Sequence, residues 1–468
     1  NFEKDFPDLK VYKLEQNYRS TQNIVKAANE LIHRNKNQLK KEIWTQNEKG
    51  ETIKIVRTPS DNEEGRWVAD SILELKMREH YKNNDFAILY RTNAQSRAFE
   101  EALRRLNIPY KIYGGTSFYQ RREIKDLLAY LKLTVNHKDE EALKRVINYP
   151  ARGIGQTTID KIGIIATNEN KSMWEVLESI FMTDLPARTK NAIEEMVKMI
   201  KSFAAQQLKL TAYDLAAHIG KTTKLIAELY NDKTVEGISR YENIQELLNS
   251  IKEFVEDDEV AENISAEDAA GLASDKSLGS FLQTVTLLTG DEKGEENVDT
   301  VKLMTVHSAK GLEFPVVYVV GMEENLFPGA LSLYSIEDLE EERRLFYVAI
   351  TRAEARLFLT YANTRYKFGQ LNYCDASRFL QEVPEHVVSF HGDLKKPKVH
   401  QEHKPISTFS RIVSPPSPKP TAQPVQSHST EPFIPDDANT LQTGMEVLHE
   451  KLGDGKVVSL EGSGVNPI

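Results

Sequence analysis

"VKLMTVHSAKGLEFPVVYVV" (residues 301–320) contains two apolar, β-branched runs separated by a polar stretch. Neither "VKLMT" (301–305) nor "FPVVYVV" (314–320) alternates cleanly between apolar and polar residues. Runs of this kind suit parallel strands buried on both faces. "TIKIV" (52–56), "DFAILY" (85–90) and "RLFLTY" (356–361) read the same way. Between them, "SRAFEEALRRL" (96–106) sets Phe99, Leu103 and Leu106 on one helical stripe. Strand, helix, strand in this order predicts an α/β domain with a parallel sheet.

From about Tyr113 to Asn297 the strand pattern disappears. Helical periodicity takes over, as in "IKDLLAYLKL" and "AIEEMVKMIKSFAAQQL". The economical reading is an all-α region inserted into one loop of the α/β domain. Three domains in series would leave the first α/β piece too few strands. The expected division is therefore 1–112 with 299–390 as one split α/β domain and 113–298 as the helical insertion. Nine of the chain's 18 prolines lie between Pro397 and Pro435, so 391–438 is expected to be a disordered linker. "TGMEVLHEKLGDGKVVSL" then alternates around Gly453–Asp454–Gly455, which predicts a β-hairpin opening a small, truncated β module at 439–468.

Composition narrows the function classes. The 468 residues carry 70 acidic and 60 basic side chains, a net charge of −10, so any nucleic-acid contact must be local. Acidic stretches such as "EFVEDDEVAENISAED" read most simply as solvated faces and loops. Cys374 is the only cysteine, which excludes an intrachain disulfide and a cysteine-built zinc site and suits a reducing cytosol. No apolar run reaches membrane-spanning length. The chain opens without methionine and stops in "EGSGVNPI", as expected of a piece of a longer protein.

Polar segments flank the apolar runs: "EQNYRST", "RTNAQSR", "VHSAKGLEF" and "EERRLFYVAITRA". In open α/β sheets, ligands bind beyond the carboxyl ends of the strands, so these segments are expected on one rim of one sheet. Arg19 and Arg352 in a shared cleft would suit a phosphate. Tyr18 could stack on a flat base, and Glu313 could accept from a ribose hydroxyl. Asn93, His307 and Phe368 could touch a second ligand. The competing reading gives the arginines to surface salt bridges with Glu341 and Glu342.

"LEQNYRST", "AILYRTNAQSR", "YGGTSFYQRREIKDLLAYLKL", "RGIGQTTIDKI", "VKLMTVHSAKGLEFPVVYVVGMEENLFP", "EEERRLFYVAITRA" and "ASRFLQEVP" resemble, in order and spacing, the UvrD/PcrA group of superfamily 1 DNA helicases. The resemblance runs from Asn1 to about Pro384, with a weaker echo at 441–468. It implies a RecA-like second motor domain with an inserted helical subdomain and a Tudor-like tail. It also implies an ATP- and magnesium-dependent, 3′-to-5′ DNA helicase of repair and replication, in the bacterial cytoplasm at the nucleoid. By this resemblance Tyr18 packs on adenine, Arg19 and Arg352 are phosphate fingers, and Glu313 binds ribose. Asn93, His307 and Phe368, with Arg91 beside them, match positions that grip single-stranded DNA. The "RGIG" turn (Arg152, Gly153, Gly155) would face duplex backbone at a junction, where glycines let main-chain N–H groups approach phosphates. The plain alternative is a turn linking two helices. RNA polymerase, through the tail, and repair proteins are the implied partners.

Two departures from the pattern stand out. No G-x-x-x-x-G-K-[ST] occurs anywhere, and Lys310 in "SAKGLEF" lacks the glycine needed to replace it. The magnesium-holding "DE" strand is missing as well, since "EFVEDDEV" follows no buried strand. Both are expected in a first RecA-like domain outside this chain, without which the chain should be inactive. Gly329 stands where some relatives carry a polar base-contacting residue. The main rival is a non-catalytic DNA- or protein-binding module. A helicase–nuclease would need a carboxylate-rich domain after 390, where none is seen.

Overall fold

The structure, a computed structural model, describes residues 12–36, 41–256, 276–288, 299–391, 445–449 and 453–456. The chain divides into two compact units, 1–398 and 399–468. In the first, eight strands form one sheet: β1 (Ile53–Ser60), β2 (Phe86–Tyr90), β3 (Tyr110–Tyr113), β4 (Val301–Thr305), β5 (Phe314–Val319), β6 (Ala353–Lys367), β7 (Gln370–Tyr373) and β8 (Val388–His391). The order is β3-β4-β2-β5-β6-β1-β8, and every neighbouring pair along it is parallel. Only β7 runs antiparallel, folded back on β6.

The apolar runs form strands because both faces of the sheet are covered. In β2, Phe86, Ile88 and Tyr90 face one layer while Ala87 and Leu89 face the other, and all are fully buried. Helices Asp61–Glu79 and Ser96–Arg105 cover the first face, through Val68, Ile72, Phe99 and Leu103. Gln22–His33 and Ile336–Ile350 cover the second, through Ile24, Leu31 and Phe346. Each such large apolar side chain contributes about 1.5–3 kcal/mol on burial. The strands that hydrophobic runs do not reveal lie at the margins. β3 alternates half-buried and exposed residues, β7 is exposed throughout, and β8 is an edge. They owe their pairing to a neighbour rather than to their own composition.

Between β3 and β4 the chain is helical, from Arg122–Val135 to Leu278–Leu288 among the described residues. One separate apolar cluster holds this region together, including Leu127, Leu131, Ile162, Ile200 and Ile251. Local signals set the helix starts: Ser172 and Glu175 form a capping box, and Asp139 and Thr211 cap their own helices. In the second unit, β9 (Glu446–His449) pairs antiparallel with β10 (Gly453–Lys456). The hairpin is present, but Gly453 pairs with His449, so Gly453–Asp454–Gly455 lies in a strand rather than at the turn. The predicted linker beyond His391 and the rest of the β module fall outside the described residues. Among the described residues, no helix is long and apolar enough to cross a membrane.

Helix Val235–Glu256 belongs to the helical region yet also packs on the sheet side, where buried charge joins the two. Arg97 bonds Glu246 (2.7 Å), Glu253 (3.1 Å) and Glu101 (3.3 Å). Arg365, on β6, bonds Glu323 (2.7 Å) and Glu64 (2.5 Å), and lies 3.3 Å from Asp61. Glu64 also accepts from the Gly321 N–H at 2.8 Å. Burial raises the Glu64 and Glu246 carboxyls above their ordinary range against the pull of the arginines, and pushes Glu253 up to about 8.

Removing one partner of such a cluster strands the others in low dielectric. Arg365→Met should therefore lower unfolding free energy by about 3–5 kcal/mol in urea titrations. The folded Glu253 holds its proton up to about pH 8, whereas its unfolded value is near 4.5. Its contribution to stability is thus full below pH 4.5 and is lost as pH rises through 8. Glu253→Gln should make the decline in stability between pH 5 and 8 shallower than in the wild type, read by denaturation midpoints across that range.

Candidate functional site

The "NYRS" segment is held in place by its own side chains. The Asn17 carboxamide oxygen accepts from the Arg19 and Ser20 N–H groups, both at 2.8 Å. Asn47 donates to the Tyr18 and Ser20 carbonyls at 3.2 and 3.1 Å. The Ser20 hydroxyl donates to the Ala353 carbonyl at 2.7 Å, fixing the segment to the first residue of β6. These contacts place Arg19 against Glu313 and Arg352. Arg19 forms a tight ion pair with Glu313 and donates to the Thr351 carbonyl at 3.1 Å. Arg352 donates to the Leu312 carbonyl (2.7 Å), the Val348 carbonyl (3.1 Å) and the Thr351 hydroxyl (3.1 Å). Tyr18 stands beside them, 78% exposed.

Burial and the facing charge of Arg19 push the Arg352 guanidinium below its ordinary value. Two guanidinium groups therefore face one cleft with the Glu313 carboxylate between them. Glu354 lies near Arg19 and Glu313 as well, so two arginines are balanced by two carboxylates, and an anion such as a phosphate would take the place of Glu313 on Arg19. Among the described residues, no group of three or more His, Cys, Asp or Glu side chains could hold a metal ion.

The expectation of a single rim is corrected by strand direction. Glu313 and Arg352 immediately precede β5 and β6, so they lie at the amino ends of these parallel strands. Arg91 and His307 follow β2 and β4 and lie at the carboxyl ends. The two groups are separated by the length of β5, about 17 Å. Reading flanks without regard to chain direction merged two sites into one.

At the carboxyl ends, Arg91 is gripped by Glu342 through both carboxylate oxygens (2.7 and 3.1 Å). Glu342 thus takes Arg91, while Glu341 pairs with Arg344 at 2.7 Å and neither takes Arg19 or Arg352. Partial burial and the nearby Arg91 charge push the exposed His307 imidazole below its ordinary value. Arg91 and Phe368 line a groove of about 460 Å³ together with Tyr241, Asn325, Gly329 and Leu331. Phe368 is 66% exposed. Asn93 opens the turn Asn93–Gln95 next to this groove, and its carbonyl accepts from Arg121 at 3.0 Å.

The "RGIG" turn is split in role. Its arginine faces inward: Arg152 donates to the Val146 (2.8 Å) and Tyr149 (3.2 Å) carbonyls and to the Tyr130 hydroxyl (2.6 Å). Arg152 thus braces the turn from within, tying it to carbonyls at and just beyond the end of the preceding helix. Gly153 and Gly155 are open, with nothing within 4 Å of where a Cβ would be. Gly153 has φ +76°, and Gly155 caps helix Gln156–Glu169.

Sequence reasoning missed the supports. Asn17, Ser20 and Asn47 are polar residues in a turn, and only their partners reveal their purpose. Arg121 falls inside a quoted motif but was given no role there, and Asn249 sits in a helical stretch with no motif character. Glu342 was assigned only to a competing salt bridge, although its partner proves to be Arg91.

Comparison with known proteins gives the chain a family. The profile of the UvrD-like helicase C-terminal domain matches residues 12–364. The ATP-dependent DNA helicase PcrA of Bacillus subtilis is 38% identical over 470 residues, covering 99% of this chain and 60% of that protein. DNA helicase II of Escherichia coli is 36% identical over 469 residues, covering 99% of this chain and 59% of that protein. The chain therefore spans about 60% of the length of these relatives. With the motifs in order along a RecA-like parallel sheet, the chain belongs to the UvrD-like helicase C-terminal domain family.

Proposed function

We propose that this chain supplies the second wall of an ATP site and part of the single-strand grip of an ATP-dependent, 3′-to-5′ DNA helicase acting in repair and replication. The observation that carries the reading is the convergence of Arg19, Glu313 and Arg352 from three distant segments. ATP would lie between this cleft and a first RecA-like domain bearing the phosphate loop and the magnesium ligands. Bound there, it supplies the phosphoanhydride whose cleavage drives movement. Arg19 exchanges Glu313 for the terminal phosphate, and Glu313, once released, accepts from a ribose hydroxyl. Tyr18 covers the base. Arg352 is half-buried, so its charge would act on phosphate oxygens with part of its water already removed. Loss of the phosphate returns Arg19 to Glu313 and loosens the two domains.

The reading divides the chain into a split motor domain (1–112 and 299–390), a helical subdomain (113–298), a linker (391–438) and the start of a Tudor-like partner module (439–468). Single-stranded DNA would pass the carboxyl ends of the strands by His307, Asn93 and Phe368, gripped by stacking and backbone contacts that tolerate any sequence. The open Gly153 and Gly155 would admit duplex phosphates to main-chain N–H groups. RNA polymerase and repair proteins are the proposed partners of the tail.

The chain carries no phosphate loop of its own, which keeps one rival in view: a binding module without catalysis. DNA-stimulated ATP hydrolysis on combining the chain with a first RecA-like domain separates the two. In the full-length protein, Arg352→Ala should lower ATP turnover by about a thousandfold or more. Its affinity for single-stranded DNA, read by fluorescence anisotropy, should stay within about threefold of the wild type, a change below one fully lost hydrogen bond to charge. Wild-type turnover in this variant would refute the assignment.

A further inference from the structure

Phe368 sits in an unusual backbone position. Lys367 pairs with Gln370 across the β6–β7 hairpin, so Phe368 and Gly369 are the two turn residues. Both have positive φ, +52° and +71°, as a type I′ turn requires. Gly369 accepts that geometry freely, whereas a bulky side chain enters the left-handed region rarely and at a cost. Asn-Gly is the preferred pair for such a turn. A phenylalanine here projects an exposed ring from a strained backbone, and something must hold it.

The restraint comes from the helical region. Asn249, on helix Val235–Glu256, donates its amide to the Tyr366 carbonyl at 2.9 Å and accepts from the Gly369 N–H at 3.1 Å. One carboxamide thus bridges both sides of the turn, as a peptide group of a neighbouring strand would. Asn249 is itself only 6% exposed. The Tyr213 hydroxyl packs so closely on Gly369 that a Cβ there would collide with it. On the next strand residue back, the Tyr366 hydroxyl donates to Glu256 of the same helix. Two turns earlier on that helix, Asn243 accepts from Arg121 at 2.8 Å, and Arg121 holds the Asn93 carbonyl. A single helix therefore restrains the backbone at two proposed DNA-gripping positions.

We infer that Asn249 is a positioning residue for single-strand binding: it fixes the strained Phe368 turn so that the ring is presented to a base, and so ties the grip to the placement of the helical region. The inference rests on the proposed single-strand grip and goes beyond it.

A double-mutant cycle in the full-length protein tests it, with a fluorescein-labelled oligo-dT for affinity and DNA-stimulated ATP hydrolysis for turnover. Phe368→Ala should weaken oligo-dT binding by about tenfold, the loss of one base–aromatic stack. Asn249→Ala should weaken it by about three- to tenfold. It should also raise the DNA concentration for half-maximal hydrolysis while leaving kcat unchanged, a split that general loss of structure would not produce. The double variant should bind no worse than Phe368→Ala alone, because both act through one ring. Asn249→Asp keeps the shape and the Gly369 contact but loses the donor to Tyr366. It should show the same split and carries the test if Asn249→Ala does not fold. Wild-type affinity in the Asn249 variants beside a weakened Phe368→Ala, or additive losses in the double variant, would overturn the inference and leave the grip standing. Wild-type affinity in Phe368→Ala would instead bring down the grip itself, and this inference with it.

Discussion

The central sheet is covered by helices on both faces, so only its two ends are open to ligands. Parallel strands force this, since each crossover must return over a face and bring a helix with it. β2 and β5, at the middle of the sheet, are buried along almost their whole length. Side chains of the sheet that must meet a ligand are therefore confined to the residues just before or just after a strand, and Tyr18 and Arg19 join one end from the loop ahead of helix Gln22–His33. The molecule uses both ends. Glu313 and Arg352 precede β5 and β6, while Arg91 and His307 follow β2 and β4. A rigid, fully packed sheet then links the two groups, which suits coupling between nucleotide state and DNA grip in the proposed motor.

At the amino ends, the Arg19–Glu313 pair gives the cleft a resting state. Both side chains remain partly exposed, 29% and 52%, so the pair itself adds little to stability. In the proposed ATP site its weakness would be useful, because a phosphate with its greater charge would displace the carboxylate. Arg352 bonds instead to carbonyls and a hydroxyl, which aim it without neutralising it.

The charge buried between the sheet and helix Val235–Glu256 behaves differently. Arg97 and Arg365 are enclosed by several carboxylates, and the cluster is held by mutual need, each charge being costly without the others. This joint also meets the groove proposed for single-stranded DNA: Glu246 and Arg365 line it alongside Arg91 and Phe368. The helical region is thus fastened to the sheet at the place where a strand of DNA would pass.

Much of the architecture is legible in the amino-acid order. Five apolar runs mark the central strands because burial on both faces demands apolar residues at consecutive positions. The loss of that pattern after Tyr113 marks the helical region. Tyr18, Arg19, Glu313 and Arg352 stand out because polar residues flank apolar runs and because long motifs resemble one family. The margins were hidden: β3, β7 and β8 are short, exposed or half-buried, and take their strand form from a neighbour's hydrogen bonds. Which end of the sheet each flank occupies already followed from parallel pairing and from the flank's place before or after its run; contacts between distant segments were left to tertiary structure. It alone turned Arg152 inward onto helix carbonyls and gave Arg91 to Glu342. It also brought Asn249 onto the Phe368 turn across 120 residues of chain, because a hydrogen bond depends on distance in space, which periodicity along a sequence does not encode.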